Sequence, residues 1–342
     1  MHLLKIIPRN PLPAIVYDPS EPMLDSGPQP TSPGETIVKQ PYGLPRVWGP
    51  YDQLVVRFDP EQHALWYSLR PRGRPCFNLD LLDELRRFQH RVEQVNLGPG
   101  TDGESLPIRY MILASTVPGV FNLGGDLQLF AGMIRNQDRE GLFRYAKACI
   151  DVLYPNCISF ELPMTTITLV QGDALGGGFE AAISSNVVIA EESAKFGLPE
   201  VLFNLIPGMG AYSFLIRRLS PDIAERIIMS GELMTARRMQ ELGLVDIVVE
   251  DGHGQHAVEH FIRRHQKRGN AHNAMNRLKQ VINPVTYEEL ITITKIWVDT
   301  ALRLHERDLR MIEHLVAAQN RRLQQQKQQL EQDPPAALEG RA

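Results

Sequence analysis

The sequence is short of three things. It has only three cysteines in 342 residues, Cys76, Cys149 and Cys157. Their odd number and wide spacing exclude a disulfide framework and a zinc knuckle, so a reduced, cytoplasmic setting is expected. It has no excess of basic charge. Thirty-six lysines and arginines stand against 40 aspartates and glutamates, a net charge of −4. No nucleic-acid partner is expected of a chain with no basic face. It has no apolar run near the ~18 residues that a membrane helix needs, so no membrane partner is expected either. The opening MHLLKIIPRNPLPAIVYDP is broken by prolines and lacks an A-x-A-like cleavage site, and no signal peptide is expected.

What is present is an ordinary globular balance, 43 % hydrophobic and 22 % charged, long enough for one large domain or two. Residues 1–50 hold 11 of the 25 prolines and little hydrophobic periodicity, so an extended, poorly ordered arm is expected there. Order is expected to begin near Leu54–Phe58 and Ala64–Leu69, two β-like runs, followed by a helix over about Leu79–Val95. Tyr110–Ala114 reads as a buried strand, and helices follow at Gln128–Met133 and Gly141–Tyr154. The centre alternates strand 165–170, a glycine turn, a short helix from 180, strand 187–190 and a helix near 212–218. Strands alternating with helices predict an α/β class with parallel strands. A helix over 235–243 has a threonine cap and a glycine stop, a strand follows at 244–249, and 287 to about 330 reads as helix. The expected organisation is an arm (1–50), an α/β core (51–250), a helical region (251–330) and a polar tail (331–342).

The stretch Gly172–Ala181, GDALGGGFEA, concentrates the chemistry. Its GGGFEA fits G-x-G-x-x-A, but Gln171–Leu175 separate it from the preceding strand and the next strand follows too soon. A dinucleotide fingerprint is therefore disfavoured, and no Gly-Lys-Ser/Thr follows to make a P-loop. Glycines let a backbone approach a ligand and leave N–H groups unobstructed, and at a helix start those groups lack intrahelical partners. Such a turn can hold a developing oxyanion, or can simply be a tight turn against the sheet. A second glycine turn, Phe121–Leu127 (FNLGGDL), also leads from a strand into a helix, with Asp126 placed to cap it. Glu180 lies in the first helical turn after the glycines, and Glu200 follows the next strand. Both are expected at the same edge of a parallel sheet, where two titratable groups suit general acid–base work. Each could equally be a helix-start carboxylate.

His253, His256 and His260 cluster near a helix start without a carboxylate pattern, so no metal site is expected. Ser213 is outside any G-x-S-x-G.

These residues together resemble the enoyl-CoA hydratase/isomerase (crotonase) family. The likeness rests on FNLGGDL, GDALGGGFEAA and AKFGLPEVLFNLIPGMGA, from Phe121 to Gly210, and extends more weakly over Leu65–Val249 through MSGELMTARRMQELGLVDIVV. It implies a spiral of ββα repeats with a C-terminal helical part, assembled as trimers, and no cofactor. It also implies an oxyanion hole for a thioester carbonyl, carried over to the amides of Gly125 and Gly177. Its two glutamates carry over to Glu180 and Glu200, and their joint presence favours water addition or removal. An apolar acyl pocket is expected from Met209, Trp297 and Leu315, which as bare sequence could be core residues.

A narrower likeness, in TVPGVFNLGGDL, GLPEVLFNLIPGMGAYSFL and TITKIWVDTALRL, is to the diffusible signal factor synthases. It implies dehydration of a 3-hydroxyacyl chain on acyl carrier protein and hydrolysis of the thioester to a cis-2-unsaturated fatty acid. It also implies that a sensor kinase's receiver domain can hold the enzyme. The competing expectations are an ordinary hydratase of trans-2-enoyl-CoA and a non-catalytic binding protein of the same fold.

Overall fold

The computed structural model describes residues 48–97 and 108–332. Most of the expected arm and tail lie outside those residues. The chain begins with strands β1 (Leu54–Asp59) and β2 (Ala64–Leu69) and helix α1 (Leu79–Leu97). Three units then repeat a pattern. The first is β3 (Tyr110–Ser115) and β4 (Gly119–Asn122) with α2 (Leu127–Arg135) and α3 (Arg139–Cys157). The second is β5 (Thr165–Val170) and β6 (Gly172–Leu175) with α4 (Gly177–Ser184). The third is β7 (Val187–Glu191) and β8 (Lys195–Gly197), a 3₁₀ turn (Pro199–Phe203), α5 (Ala211–Leu215) and α6 (Pro221–Ser230). The remainder is β9 (Met234–Thr235), α7 (Ala236–Glu241), β10 (Ile247–Val249), α8 (Gly254–Gln266), α9 (Gly269–Ile282), α10 (Tyr287–Ala301) and α11 (Glu306–Gln332).

In each unit the first strand joins a six-stranded sheet, ordered β1-β2-β3-β5-β7-β10, and the second joins a four-stranded sheet, ordered β4-β6-β8-β9. This is the expected spiral. The large sheet is parallel from β2 to β10, with β1 antiparallel at its edge. A parallel sheet is covered on both faces, so its strands read as nearly continuous apolar runs. Strand β3 shows how the period of two divides that burial. Met111 and Leu113 face the main core, while Tyr110, Ile112 and Ala114 face a second cluster closed by Ala257, Val258 and Ile262 of α8. On the main-core side α3 packs against α1 and α10, and α11 packs against α2 and the 3₁₀ turn.

Three expected elements differ in extent. The helix near 212–218 is a single short turn, Ala211–Leu215, because the chain must leave it for Ser220–Pro221. The strand of 244–249 shortens to Ile247–Val249, since Leu244 and Val245 still bond the carbonyl of Met239. The long terminal helix is two helices, with His305 and Asp308 turning the chain between them. The small sheet as a whole was not anticipated.

Candidate active site

The small sheet aims its strand ends at one place. Strand β4 ends at Asn122, whose Oδ1 accepts the Gly124 N–H at 2.7 Å. Gly124 has φ +92°, open to glycine, and its carbonyl accepts the Phe77 N–H at 2.8 Å. Asp126 caps α2 as its position suggests. Its Oδ1 accepts the Gln128 and Leu129 N–H groups and an Arg74 guanidinium N–H at 2.9 Å.

The three glycines after β6 each make a different approach. A methyl group on Gly176 would run into Glu200 Oε1, on Gly177 into Met209 Sδ, and on Gly178 into the Asn122 carbonyl. The first therefore lets a carboxylate close on the turn, the second lets a cavity wall close, and the third seats α4 against β4. Gly176 has φ +50° and donates its N–H to the Gly197 carbonyl at 2.9 Å, tying the turn to β8. The two glycine turns also touch each other. A Cβ built on Gly124 would stand 2.9 Å from the Gly177 nitrogen. Gly125 and Gly177 both line one cavity, and neither amide has an acceptor among the described residues. Gly177 opens α4, where an N–H has no intrahelical partner.

Glu180 and Glu200 line the same cavity. Glu180 is 1 % exposed, and its Oε1 accepts the N–H groups of Met209 and Ala211, each at 2.8 Å. Glu200 comes from the 3₁₀ turn. Its backbone is half-buried, yet Oε2 is fully buried and has no hydrogen-bond partner among the described residues. Burial pushes both carboxyls well above the ordinary carboxylate range. The two N–H donors on Glu180 oppose that rise, whereas the neighbouring charge of Glu180 adds to it for Glu200. Both carboxyls are therefore drawn toward their protonated forms near neutral pH, and they titrate as a pair.

The cavity encloses about 290 Å³. Away from the carboxylates its wall is apolar. Trp297 of α10 stands edge-on to Phe130 of α2, with ring centroids 5.8 Å apart, and Gly208 leaves room for the indole. Leu315 and Leu323 of α11 add to the wall, and Met209 lies where α4 begins. The structure thus brings every expected site residue to one cavity: Gly125, Gly177, Glu180, Glu200, Met209, Trp297 and Leu315. Of the three clustered histidines, His253 and His256 are exposed and His260 is half-buried, all at the start of α8.

Sequence reasoning missed Tyr145, Cys149 and Asp173, which also line the cavity. Asp173 was recoverable. Once 172–175 is read as a strand, the period of two puts Asp173 on the face of Leu175. Tyr145 and Cys149 lie one helical turn apart on α3, a spacing shared by any buried helix face.

The enoyl-CoA hydratase/isomerase family model matches residues 103–299, more than half of the chain. Human mitochondrial methylglutaconyl-CoA hydratase is 32 % identical over 143 residues, 42 % of this chain and 40 % of that protein. The 2,3-dehydroadipyl-CoA hydratase of Escherichia coli is 41 % identical over 96 residues, 28 % of this chain and 37 % of that protein. The chain thus spans about two fifths of the length of these curated relatives. An enoyl-CoA hydratase from Bacillus halodurans superposes with a TM-score of 0.64 at 20 % identity, over 77 % of this chain and all of that one. Pseudomonas aeruginosa DspI gives 0.57 at 23 % identity, over 68 % and 90 %. These structural likenesses show the fold. With the family match on top of the two apposed glycine turns, the chain belongs to the enoyl-CoA hydratase/isomerase family.

Proposed function

We propose that the chain adds and removes water across C2–C3 of an acyl thioester. In its finer form, the proposal is that it dehydrates a 3-hydroxyacyl thioester and then hydrolyses the thioester to release a cis-2-unsaturated fatty acid. One observation carries the reading: two buried carboxyls, Glu180 and Glu200, line the same cavity as the amides of Gly125 and Gly177, which have no acceptor among the described residues.

The thioester oxygen would accept the N–H groups of Gly125 and Gly177. Negative charge that forms there as the C2 proton leaves is stabilised by donors already in place. In this reading Glu200 serves C2 and Glu180 serves the oxygen at C3. Water addition starts from the form with Glu180 ionised and Glu200 protonated. Glu180 takes a proton from water as its oxygen bonds C3, and Glu200 gives its proton to C2. Dehydration runs the same steps in reverse. It starts from the form with Glu200 ionised and Glu180 protonated, so that the C3 hydroxyl departs as water. Thioester hydrolysis reuses the site. A glutamate takes a proton from water, the oxygen bonds the carbonyl carbon, the two amides hold the oxyanion, and the thiol leaves with the proton.

The likeness of GLPEVLFNLIPGMGAYSFL and TITKIWVDTALRL to the signal factor synthases favours the finer form. It would bring acyl carrier protein as carrier and a receiver domain and further copies of the chain as partners. The aromatic and aliphatic wall suits a hydrocarbon chain in either form. The second reading, an ordinary hydratase of trans-2-enoyl-CoA, is favoured by the two curated relatives named above, both hydratases.

Mass spectrometry of the products from 3-hydroxyacyl-acyl carrier protein, with crotonyl-CoA hydration run alongside, separates these outcomes. Free cis-2-enoic acid is the expected product. Reversible hydration with the thioester intact returns the chain to the ordinary hydratases, and no turnover of either makes it a binding protein. Glu180→Gln and Glu200→Gln are each expected to lower turnover ~10²–10⁴-fold. Near-wild-type activity in both variants defeats the mechanism.

A further inference from the structure

We infer that Tyr145 is a positioning residue that aims the Gly125 amide into the cavity. The inference rests on the reading above, in which that amide receives the thioester oxygen. An amide points where the hydrogen bonds of its neighbours hold it, and around Gly125 those bonds form a closed frame. On one side, the Phe77 N–H donates to the Gly124 carbonyl at 2.8 Å. That carbonyl and the Gly125 N–H belong to one peptide plane and point in opposite directions. On the other side, the Asp126 N–H donates to the Tyr145 hydroxyl at 2.7 Å, and that hydroxyl donates to the Phe77 carbonyl at 2.7 Å. Phe77 therefore grips both flanks of the turn, once directly and once through Tyr145.

The other backbone bonds of the turn, from the Gly124 N–H to Asn122 Oδ1 and from the Leu123 N–H to the Pro75 carbonyl, lie before the Gly124–Gly125 peptide. Gly124 and Gly125 have no side chains to restrict them, and Gly124 sits at φ +92°. The helix cap on Asp126 acts on the residues after it, Gln128 and Leu129. The Tyr145 hydroxyl is the side-chain group that closes the frame from below, and a methyl group on Gly125 would lie 3.2 Å from it. Its ring is 4 % exposed on α3, which is anchored by Leu142, Ala146, Cys149 and Leu153 in the core, so the hydroxyl is held in place by a rigid element. Burial raises its pKa well above the ordinary tyrosine value, so it remains a neutral O–H able to donate and accept at once.

A structural tyrosine and a positioning tyrosine differ in what they change. Tyr67 provides the contrast. It is 3 % exposed, its ring stacks on Phe88 at 4.9 Å, and its hydroxyl donates to Asn156 at 3.4 Å, outside the cavity lined by the two glutamates. The test uses the full chain and the chromophoric thioester 4-dimethylaminocinnamoyl-CoA. Its absorption moves to the red, and its carbonyl stretch falls, when donors polarise the thioester oxygen. The wild type is expected to produce both shifts. Tyr145→Phe is expected to shrink both shifts and to lower kcat ~10- to 100-fold, with KM changed by less than about threefold. Tyr67→Phe is expected to keep both shifts and kcat. Should Tyr145→Phe fail to fold, 3-fluorotyrosine placed at position 145 alone keeps the shape and weakens the hydroxyl as an acceptor, and a smaller carbonyl shift is expected. Full shifts and full kcat in Tyr145→Phe, or an unchanged shift with fluorotyrosine, overturn the inference. Absence of any shift in the wild type defeats the reading of the amides themselves, a separate failure.

Discussion

The two sheets are built from the same repeating unit and do different work. The six-stranded sheet has strands of three to six residues and lies between two buried apolar clusters. The four-stranded sheet has strands of two to four residues, interrupted by glycine, and supplies the turns that hold Gly125 and Gly177 and precede Glu180 and Glu200. One strand of each unit serves stability and the next serves the site. A change in the first should be felt as free energy of folding, and a change in the second as rate.

The largest expected effect separates them. Gly177→Ala places a methyl group against Met209 Sδ and 3.4 Å from the Gly124 Cα. It is expected to cost ~10²–10³ in kcat by displacing one amide. Ile112→Ala, at a fully buried site in β3, is expected to cost about 2–5 kcal/mol of stability and leave kcat per folded molecule unchanged. Urea denaturation and steady-state kinetics on both variants check the pair. Equal losses of rate would erase the distinction.

The next effect is a pH dependence that belongs to the site. Burial raises the pKa of Glu200 and of Glu180, so between the ordinary carboxylate value and the raised ones the folded chain binds more protons than the unfolded chain. The associated stability is fully present below the ordinary value and is lost as pH rises through the raised values. Glu200→Gln removes its share. The stability difference between about pH 5 and about pH 9 is expected to shrink in that variant, measured by urea denaturation. An unchanged difference would show that the carboxyl titrates as an ordinary exposed one.

The smallest effect lies at the border between the two regions. Asp126→Ala removes the cap of α2 and is expected to cost about 1 kcal/mol, read as a lower Tm, with the pH dependence of stability unaltered.

This division also governs what could be read in advance. Strand β5, TTITLV, is β-branched or apolar at every position and announces itself, as does the apolar run of β3. Strand β6, GDAL, has the composition of a loop, and it is a strand only because β4 and β8 flank it. Tertiary pairing of that kind leaves no local trace. The glycine turns and the glutamates stood out locally as candidates, but each also had an ordinary structural reading, so their roles were legible only through the family likeness. The contacts of Gly176 with Glu200 and of Gly124 with Gly177 were not anticipated. The frame of Phe77 and Tyr145 joins segments far apart in sequence, which no local pattern records.

The order of these parts along the chain has a consequence for how the protein is made. Both glycine turns and both glutamates are synthesised before Met209, whereas Trp297, Leu315 and Leu323 come from the last two helices. A growing chain therefore presents its reactive groups while Phe130 and Phe203 still lack the wall that shields them from water. Until α10 and α11 arrive, that surface is a sticky face for chaperones or for other nascent chains, and it takes up no substrate in a closed pocket. The wall is thus finished late, since α10 and α11 follow every other described element in synthesis and turn an exposed crevice into a chamber.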